Sequence, residues 1–313
     1  MLEIDGKLVQ LLKKGTTLTS LQSKMGLYGA EVVKKIHSLE DRGYLIHKQF
    51  YDFGVKYIIL PEPVKELQDN VEILTNDSFT FIAIGDTHYN NIYENPNLVN
   101  CVYQYAESKK IRYILHVGDM TEGIALPAHN ADRIKRFDVH EQMDFIASNY
   151  PKSEKIETLY ILGNHDQRCM NEGIDISRVL EKKRLDMHFL GYKNSKLKIG
   201  NRNILMHHPF SMNRDKKYDD EIKDLYMDPE FDIVLRGHTH HSGIYINEMG
   251  SIVLNIPACY SSPSRKYNGI YQVTLKENEV KIENLIVDNE VHLFNVIKYP
   301  LSEKEKTKTK KLS

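Results

Sequence analysis

Five runs of apolar, largely β-branched or aromatic residues stop abruptly on aspartate, asparagine or histidine. Residues 79–84 lead into Gly85-Asp86-Thr87-His88, and 111–117 into Gly118-Asp119. Residues 159–162 lead into Gly163-Asn164-His165-Asp166, 204–206 into His207-His208-Pro209, and 231–236 into Gly237-His238-Thr239-His240. Such runs, bounded by glycine and polar residues, predict buried strands. Helix-like stretches at 97–110, 132–149 and 173–184 lie among them, so the order from Phe79 is strand–helix alternation, an α/β pattern. After Gly191 the runs shorten and become hairpin-like, at 196–199, 203–206, 244–246, 252–255, 271–275 and 280–286.

The first 61 residues carry a different pattern. Helices are predicted at 6–14, through Leu18, Leu21 and Met25 behind a Thr16-Thr17 cap, and at 29–42, where Val32, Ile36 and Leu39 share a face. Gly43 would close the third helix. Two β-type runs, 44–50 and 56–60, flank the turn signal Asp52-Phe53-Gly54. This order resembles a winged helix-turn-helix domain, with residues 27–46 in the place of recognition helix and wing. The resemblance covers about 60 residues. The third helix would expose Lys34, Lys35 and His37, with Lys24 on the helix before it. These lysines suit phosphate contact, but no Arg, Asn or Gln is placed to read bases. The same face could equally dock a protein.

Residues 62–78 read as a linker, broken by Pro61-Glu62-Pro63. Residues 79–300 form the large domain, and 301–313 read as a disordered basic tail. Residues 1–61 hold nine Lys/Arg against six Asp/Glu, and residues 302–313 hold five Lys against two Glu. The chain as a whole carries −1, so the middle carries about −7. Contact with a polyanion would begin at the ends. There is no membrane-length apolar stretch and no signal-peptide pattern, so the expected location is cytoplasmic, without a membrane partner. The three cysteines are widely spaced and suggest neither disulfides nor a thiolate zinc site. Cys169, close to the third motif, reads as a small packing residue.

The strand-end residues Asp86, His88, Asp119, Asn164, His207, His238 and His240 mix carboxylate, imidazole and amide donors. Such a set suits Mn²⁺, Fe²⁺, Zn²⁺ or Ni²⁺ better than Ca²⁺. Seven donors are too many for one four-coordinate ion and suit two ions sharing a carboxylate. In Asp86-x-His88 and His238-x-His240 the donors are two apart and can address one region of space. In open α/β sheets, ligands gather beyond the carboxyl ends of strands.

Taken in order, D-x-H, GD, GNH[DE], H and GH-x-H, these motifs strongly resemble the calcineurin-like metallophosphoesterase superfamily over residues 79–290. The resemblance implies two mixed β-sheets packed as a sandwich with helices outside. It implies that Asp86, His88 and His240 hold one metal, that Asn164, His207 and His238 hold the other, and that Asp119 bridges them. His207 is preferred to His208 because the family's ligand is the first histidine of a His-x-Pro stretch. Two divalent ions, Mn²⁺ first among the candidates, would clamp a phosphoryl oxygen and activate a shared water for in-line attack. His165 would protonate the leaving oxygen, and Asp166 would orient His165.

The superfamily includes phosphatases, phosphodiesterases and nucleases, so the substrate is argued from the appended parts. The N-terminal domain and the segment Ser261-Ser262-Pro263-Ser264-Arg265-Lys266 favour DNA. The chain looks similar to DNA-repair exonucleases and to small subunits of archaeal D-family DNA polymerases. The expected activity is dimetal-dependent phosphodiester hydrolysis, a DNA nuclease or exonuclease, with replication or repair proteins as further partners. The alternatives are a phosphatase or phosphodiesterase on nucleotides or phosphoproteins, with the N-terminal domain as a docking module, and a replication or repair subunit. His129, Arg133 and Arg168 are candidate substrate contacts.

Overall fold

The computed structural model describes residues 2–41, 44, 46–59, 70–75, 78–124, 132–172, 174–209, 228–263 and 267–301. Its centre is a seven-stranded sheet ordered β16-β15-β14-β5-β6-β7-β8. The strands are β5 (Phe79–Ile84), β6 (Tyr113–His116), β7 (Glu157–Ile161), β8 (Met187–Gly191), β14 (Asn268–Leu275), β15 (Glu279–Val287) and β16 (Val291–Pro300). β5 to β8 run parallel, and β14 to β16 add an antiparallel meander.

A second sheet packs against it, and its order is β1 (Thr16–Thr17), β3 (Gly54–Ile59), β2 (Ile46–Tyr51), β4 (Asn70–Leu74), then β9-β10-β11-β13-β12. It contains β9 (Asn194–Ile199), β10 (Arg202–His207), β11 (Ile233–Arg236), β12 (Gly243–Ile246) and β13 (Ile252–Asn255). β10, β11 and β13 are parallel to one another. The architecture is therefore α/β, two mixed sheets face to face with helices outside.

Residue alternation along the strands sorts the core into layers. Phe81, Ala83, Leu115, Val117, Leu159 and Ile161 point between the sheets, where they meet Ile204, Met206, Ile233, Leu235 and Leu254. Ile82, Ile84, Ile114, Tyr160 and Leu162 point outward, under helices α4 (Pro96–Ser108), α5 (Val139–Asn149) and α7 (Ile176–Lys183). Each apolar side chain buried in this way contributes about 1.5–3 kcal/mol. Sheet and helices are thus stapled on both faces, and the parallel strand ends are held at one rim. Asn95 caps α4 ahead of Pro96, and Asp138 caps α5 by accepting the Glu141 N–H at 2.9 Å. The helix expected from residue 132 starts only at Val139. The residues before it run along the loops, where Lys135 N–H reaches the Asn90 carbonyl.

The N-terminal elements are α1 (Leu2–Lys13), β1 (Thr16–Thr17), α2 (Leu18–Met25), α3 (Gly29–Asp41), β2 (Ile46–Tyr51) and β3 (Gly54–Ile59). Thr17 caps α2 at its start, and Gly26, at φ 66°, closes it. Within the stretch read as a linker, Asn70–Leu74 form strand β4. It pairs in parallel with β2 on one side and with β9 on the other. Leu8, Leu12, Leu21, Val32, Ile36 and Leu39 accordingly join the same apolar cluster as the sandwich interior. Residues 62–69, Gly43 and the tail from 302 lie outside the described residues. Among those described, no helix is long and apolar enough to cross a membrane.

Candidate metal centre

β5, β6, β7, β10 and β11 all end at one rim, and their exit loops bring the polar motifs together. Asp86, His88, Asp119 and His240 form one group of donor atoms. Asp119, His208 and His238 form another, and Asp119 belongs to both. His240 Nε2 lies 2.9 Å from Asp86 Oδ1 and 3.2 Å from His88 Nε2. His208 Nε2 lies 3.2 Å from Asp119 Oδ2 and 3.2 Å from Asn164 Oδ1, which His238 Nδ1 also approaches at 2.8 Å.

The backbone is bent to achieve this. Asp86, His88, Asp119, His238 and His240 all have positive φ, between 44° and 71°. Left-handed backbone costs a non-glycine residue roughly 1–2 kcal/mol, and such outliers cluster where function over-determines the geometry. The glycine before Asn164 is required by space. A Cβ on Gly163 would sit 2.2 Å from Asp119 Oδ1.

The donor set fits divalent cations. Asp86 Oδ1 and Asp119 Oδ2 are buried and accept no hydrogen bond of acceptable geometry from the described residues. Ring nitrogens face them instead. The far ring nitrogens are already committed: His88 Nδ1 to Glu122 at 2.9 Å, and His208 Nδ1 to the Val117 carbonyl at 2.7 Å. That leaves the Nε2 lone pairs of both rings aimed at the cluster.

Burial works against the charge of Asp119, but the surrounding histidines hold its carboxyl well below the usual range. His116, beneath the site, is fully buried. It accepts the Gly118 N–H at Nδ1 and contacts Thr87 Oγ1 at 3.2 Å through Nε2. Burial pushes its pKa down to about 4, so it stays neutral.

Two sequence expectations are corrected. His207 does not reach the cluster. It is the last residue of β10, whose even positions, Ile204 and Met206, face the sheet interior while Leu205 faces the opposite side. His207 follows Leu205, and His208 takes the site. Asp166 does not orient His165. Its carboxylate accepts backbone N–H groups of Gly163 (2.8 Å), Thr121 (2.8 Å) and Met120 (3.2 Å), pinning the two metal-motif loops together.

The orienting role falls to Glu122, which sequence reasoning missed. Its carboxylate lies 2.9 Å from His88 Nδ1 and 3.3 Å from His165 Nδ1, and Asn91 donates to it at 2.9 Å. The only sequence signal for it is an acid three residues beyond Asp119. Burial opposes its charge, yet the two histidines hold Glu122 well below the carboxylate range.

His165 Nε2 lies 4.0 Å from Asp119 Oδ2. Burial disfavours its cationic form, but Asp119 and Glu122 raise its pKa. Arg168 Nη1 lies 3.0 Å from His165 Nδ1, so Arg168 belongs to the rim of the site. Arg133 is exposed on the loop that meets Asn91 and Ile92. His129 lies outside the described residues. Cys169 is buried, and burial lifts its thiol to about 12, as expected of a packing residue.

Lys24 and Lys34 are exposed, and Lys35 is half-buried. Lys34 and His37 of α3 face a cleft of about 520 Å³ shared with Lys152, Lys182 and Lys183. This cleft lies at the entry ends of β7 and β8. There Lys48 pairs with Glu181 at 3.0 Å and Tyr57 reaches the Leu185 carbonyl. The metal cluster lies at the exit ends, a strand-length away.

A sandwich whose converging strand ends carry two donor groups with a common carboxylate defines a dinuclear metallohydrolase type of site. The chain belongs to the calcineurin-like phosphoesterase superfamily, whose domain model matches residues 79–268. No curated protein matches the chain. Solved structures that resemble it include a dimetal phosphatase from Danio rerio, at 10% identity over 72% of this chain and 100% of that one, TM-score 0.46. An archaeal phosphodiesterase aligns at 14% identity over 66% and 99%, TM-score 0.43. Vps29 of Chaetomium thermophilum aligns at 10% over 74% and 100%, TM-score 0.44.

Proposed function

We propose that this protein is a cytoplasmic phosphodiesterase that cleaves nucleic acid, DNA before RNA, with two divalent ions held by Asp86, His88, Asp119 and His240 on one side and by Asp119, Asn164, His208 and His238 on the other. The observation that carries the reading is the pair of buried carboxylate oxygens, Asp86 Oδ1 and Asp119 Oδ2, which lie in groups of imidazole nitrogens yet accept no hydrogen bond of acceptable geometry from the described residues. When bound, two such ions neutralise charge on the phosphoryl group and make water nucleophilic near neutral pH. The chain supplies the rest. His165, whose pKa burial lowers but Asp119 and Glu122 raise, would give its proton to the departing oxygen. Glu122 holds that ring in place, and Arg168 adds positive charge at the same edge. Mn²⁺ is the proposed physiological metal.

Lys24, Lys34 and Lys35 are proposed to grip the nucleic-acid backbone. β7 is five residues long, which is roughly 16 Å at about 3.3 Å per residue. A strand touching both the α3 cleft and the metals must therefore span at least about five nucleotides, at 3.4 Å per phosphate. A second reading is favoured by the same placement. Since α3 faces the phosphoesterase body at the end remote from the metals, the N-terminal elements could dock a replication or repair protein while the site hydrolyses a smaller ester.

Purified protein with Mn²⁺ would be offered single- and double-stranded DNA of 2 to 20 nucleotides, bis-p-nitrophenyl phosphate and p-nitrophenyl phosphate. Nucleotide release that rises with length, is lost in Asn164→Ala and is weakened in a Lys24/Lys34/Lys35→Ala variant supports the first reading. Diester turnover with no length dependence and no effect of the lysines supports the second. Turnover of the monoester alone sinks the first reading, and turnover of no ester sinks both.

A further inference from the structure

Next to the metal cluster, past the exit ends of β11 and β13 and at the entry of β14, lies a cavity of about 310 Å³. His240 is common to the two, closing the cavity on one side and standing 2.9 Å from Asp86 on the other. A phosphate held at the cluster would place one of its substituents here. The volume is at the small end of ligand pockets. It suits a planar ring system rather than a peptide.

The lining supports a ring. Tyr267 and Phe294 are large apolar side chains left 60% and 65% exposed, although both belong to this cavity. Exposed aromatic faces beside a phosphate site are stacking platforms, and every base has a π-face to offer them. The polar groups match the edge of a base. Asn268 Oδ1 is buried and accepts no hydrogen bond from the described residues. It lines this cavity with Ser242 and with Asn284, whose amide reaches Ser242 Oγ at 3.3 Å.

We propose that this cavity binds the nucleobase attached to the phosphate under attack. The base stacks on Phe294 and Tyr267, and one of its N–H groups donates to Asn268 Oδ1. The site would then choose nucleotide esters over simple alkyl phosphates without reading sequence strongly. This assignment rests on the phosphodiesterase reading but predicts a binding event that needs neither metal nor turnover.

Adenosine, which has no phosphate, is the probe. Saturation-transfer NMR with metal-free full-length protein should show transfer to the adenine protons in the wild type, and loss of it in Phe294→Ala and in Tyr267→Ala. Both side chains are exposed, so the variants should fold. With Mn²⁺, the same variants should raise KM for a dinucleotide about fivefold or more while leaving kcat, and the hydrolysis of methyl p-nitrophenyl phosphate, unchanged. Absence of adenosine transfer in the wild type overturns the proposal, as does transfer that both variants retain. Variants that change the oligomeric state without touching adenosine binding would assign the patch to a second copy and overturn it equally. Adenosine binding without hydrolysis of any ester would sink the phosphodiesterase reading and leave the cavity assignment standing.

Discussion

Glu122 stands between His88 and His165, with its carboxylate 2.9 Å from Nδ1 of the first and 3.3 Å from Nδ1 of the second. One buried acid thus fixes the tautomer of a proposed metal ligand and the orientation of the proposed proton donor. Removing its charge should affect both. Glu122→Gln should lower kcat by about 10- to 100-fold and weaken metal affinity by a similar factor or less. A metal titration monitored alongside steady-state kinetics checks this, and unchanged kcat at saturating Mn²⁺ would show that His165 does not depend on Glu122.

The two neighbouring histidines give a sharper contrast. His208→Ala removes a nitrogen that faces both Asp119 and Asn164, so bound metal measured by elemental analysis should fall toward one ion per chain, with activity down at least about 100-fold. His207→Ala touches neither group and should retain two ions and activity within a few-fold. The reverse result would place His207, not His208, at the metals.

That pair also shows where the sequence stops being legible. The hydrophobic pattern marked the strand ends and the strand–helix alternation, while the two-sheet sandwich with exterior helices came only from the resemblance carried by the motifs. Adjacent histidines cannot be told apart by spacing, because the choice depends on which face of β10 each one meets. The alternation of Ile204, Leu205 and Met206 decides it, and His208 lies on the interior side. β4 was hidden because Asn70–Leu74 is a short run whose partners are 126 residues away in β9 and 23 away in β2. β16 was hidden because nearly all its positions are at least partly exposed, so no alternation betrays a strand. Asp166 was misread because an acid beside a histidine suggests a pair, whereas the short helix opening at Asn164 turns it back onto backbone N–H groups.

Gly163 tests the close approach of the β7 exit to the Asp119 carboxylate. Its φ of −98° suits any residue, so alanine adds no backbone strain. Its Cβ would nevertheless meet Asp119 Oδ1 at 2.2 Å and Asp119 N at 2.6 Å. Gly163→Ala should therefore destabilise the fold by about 1–3 kcal/mol through overpacking and abolish the rise in melting temperature expected of the wild type with Mn²⁺. Thermal melts with EDTA and with Mn²⁺ measure both effects. A Mn²⁺-dependent shift equal to that of the wild type would mean that Asp119 can move without cost.

His116 makes the stability of the protein pH-dependent in a predictable direction. Burial lowers its pKa to about 4, while in the unfolded chain it titrates near its ordinary value of about 6.5. The folded state thus refuses a proton that the unfolded state accepts. The stability owed to this neutral ring is complete above pH 6.5 and is lost as pH falls from there toward 4. Between pH 7 and pH 5 the loss from this group alone should be about 2 kcal/mol. The ring accepts the Gly118 N–H at Nδ1 and meets Thr87 at Nε2. His116→Gln keeps polar atoms for those two contacts but cannot titrate. Urea unfolding in EDTA at pH 7 and pH 5 should therefore show the wild type losing about 2 kcal/mol more than the variant, since the other titrating groups are common to both. Equal losses would mean that His116 is reached by water or changes partner when protonated, and that the layer beneath the metal cluster is less sealed than its burial indicates.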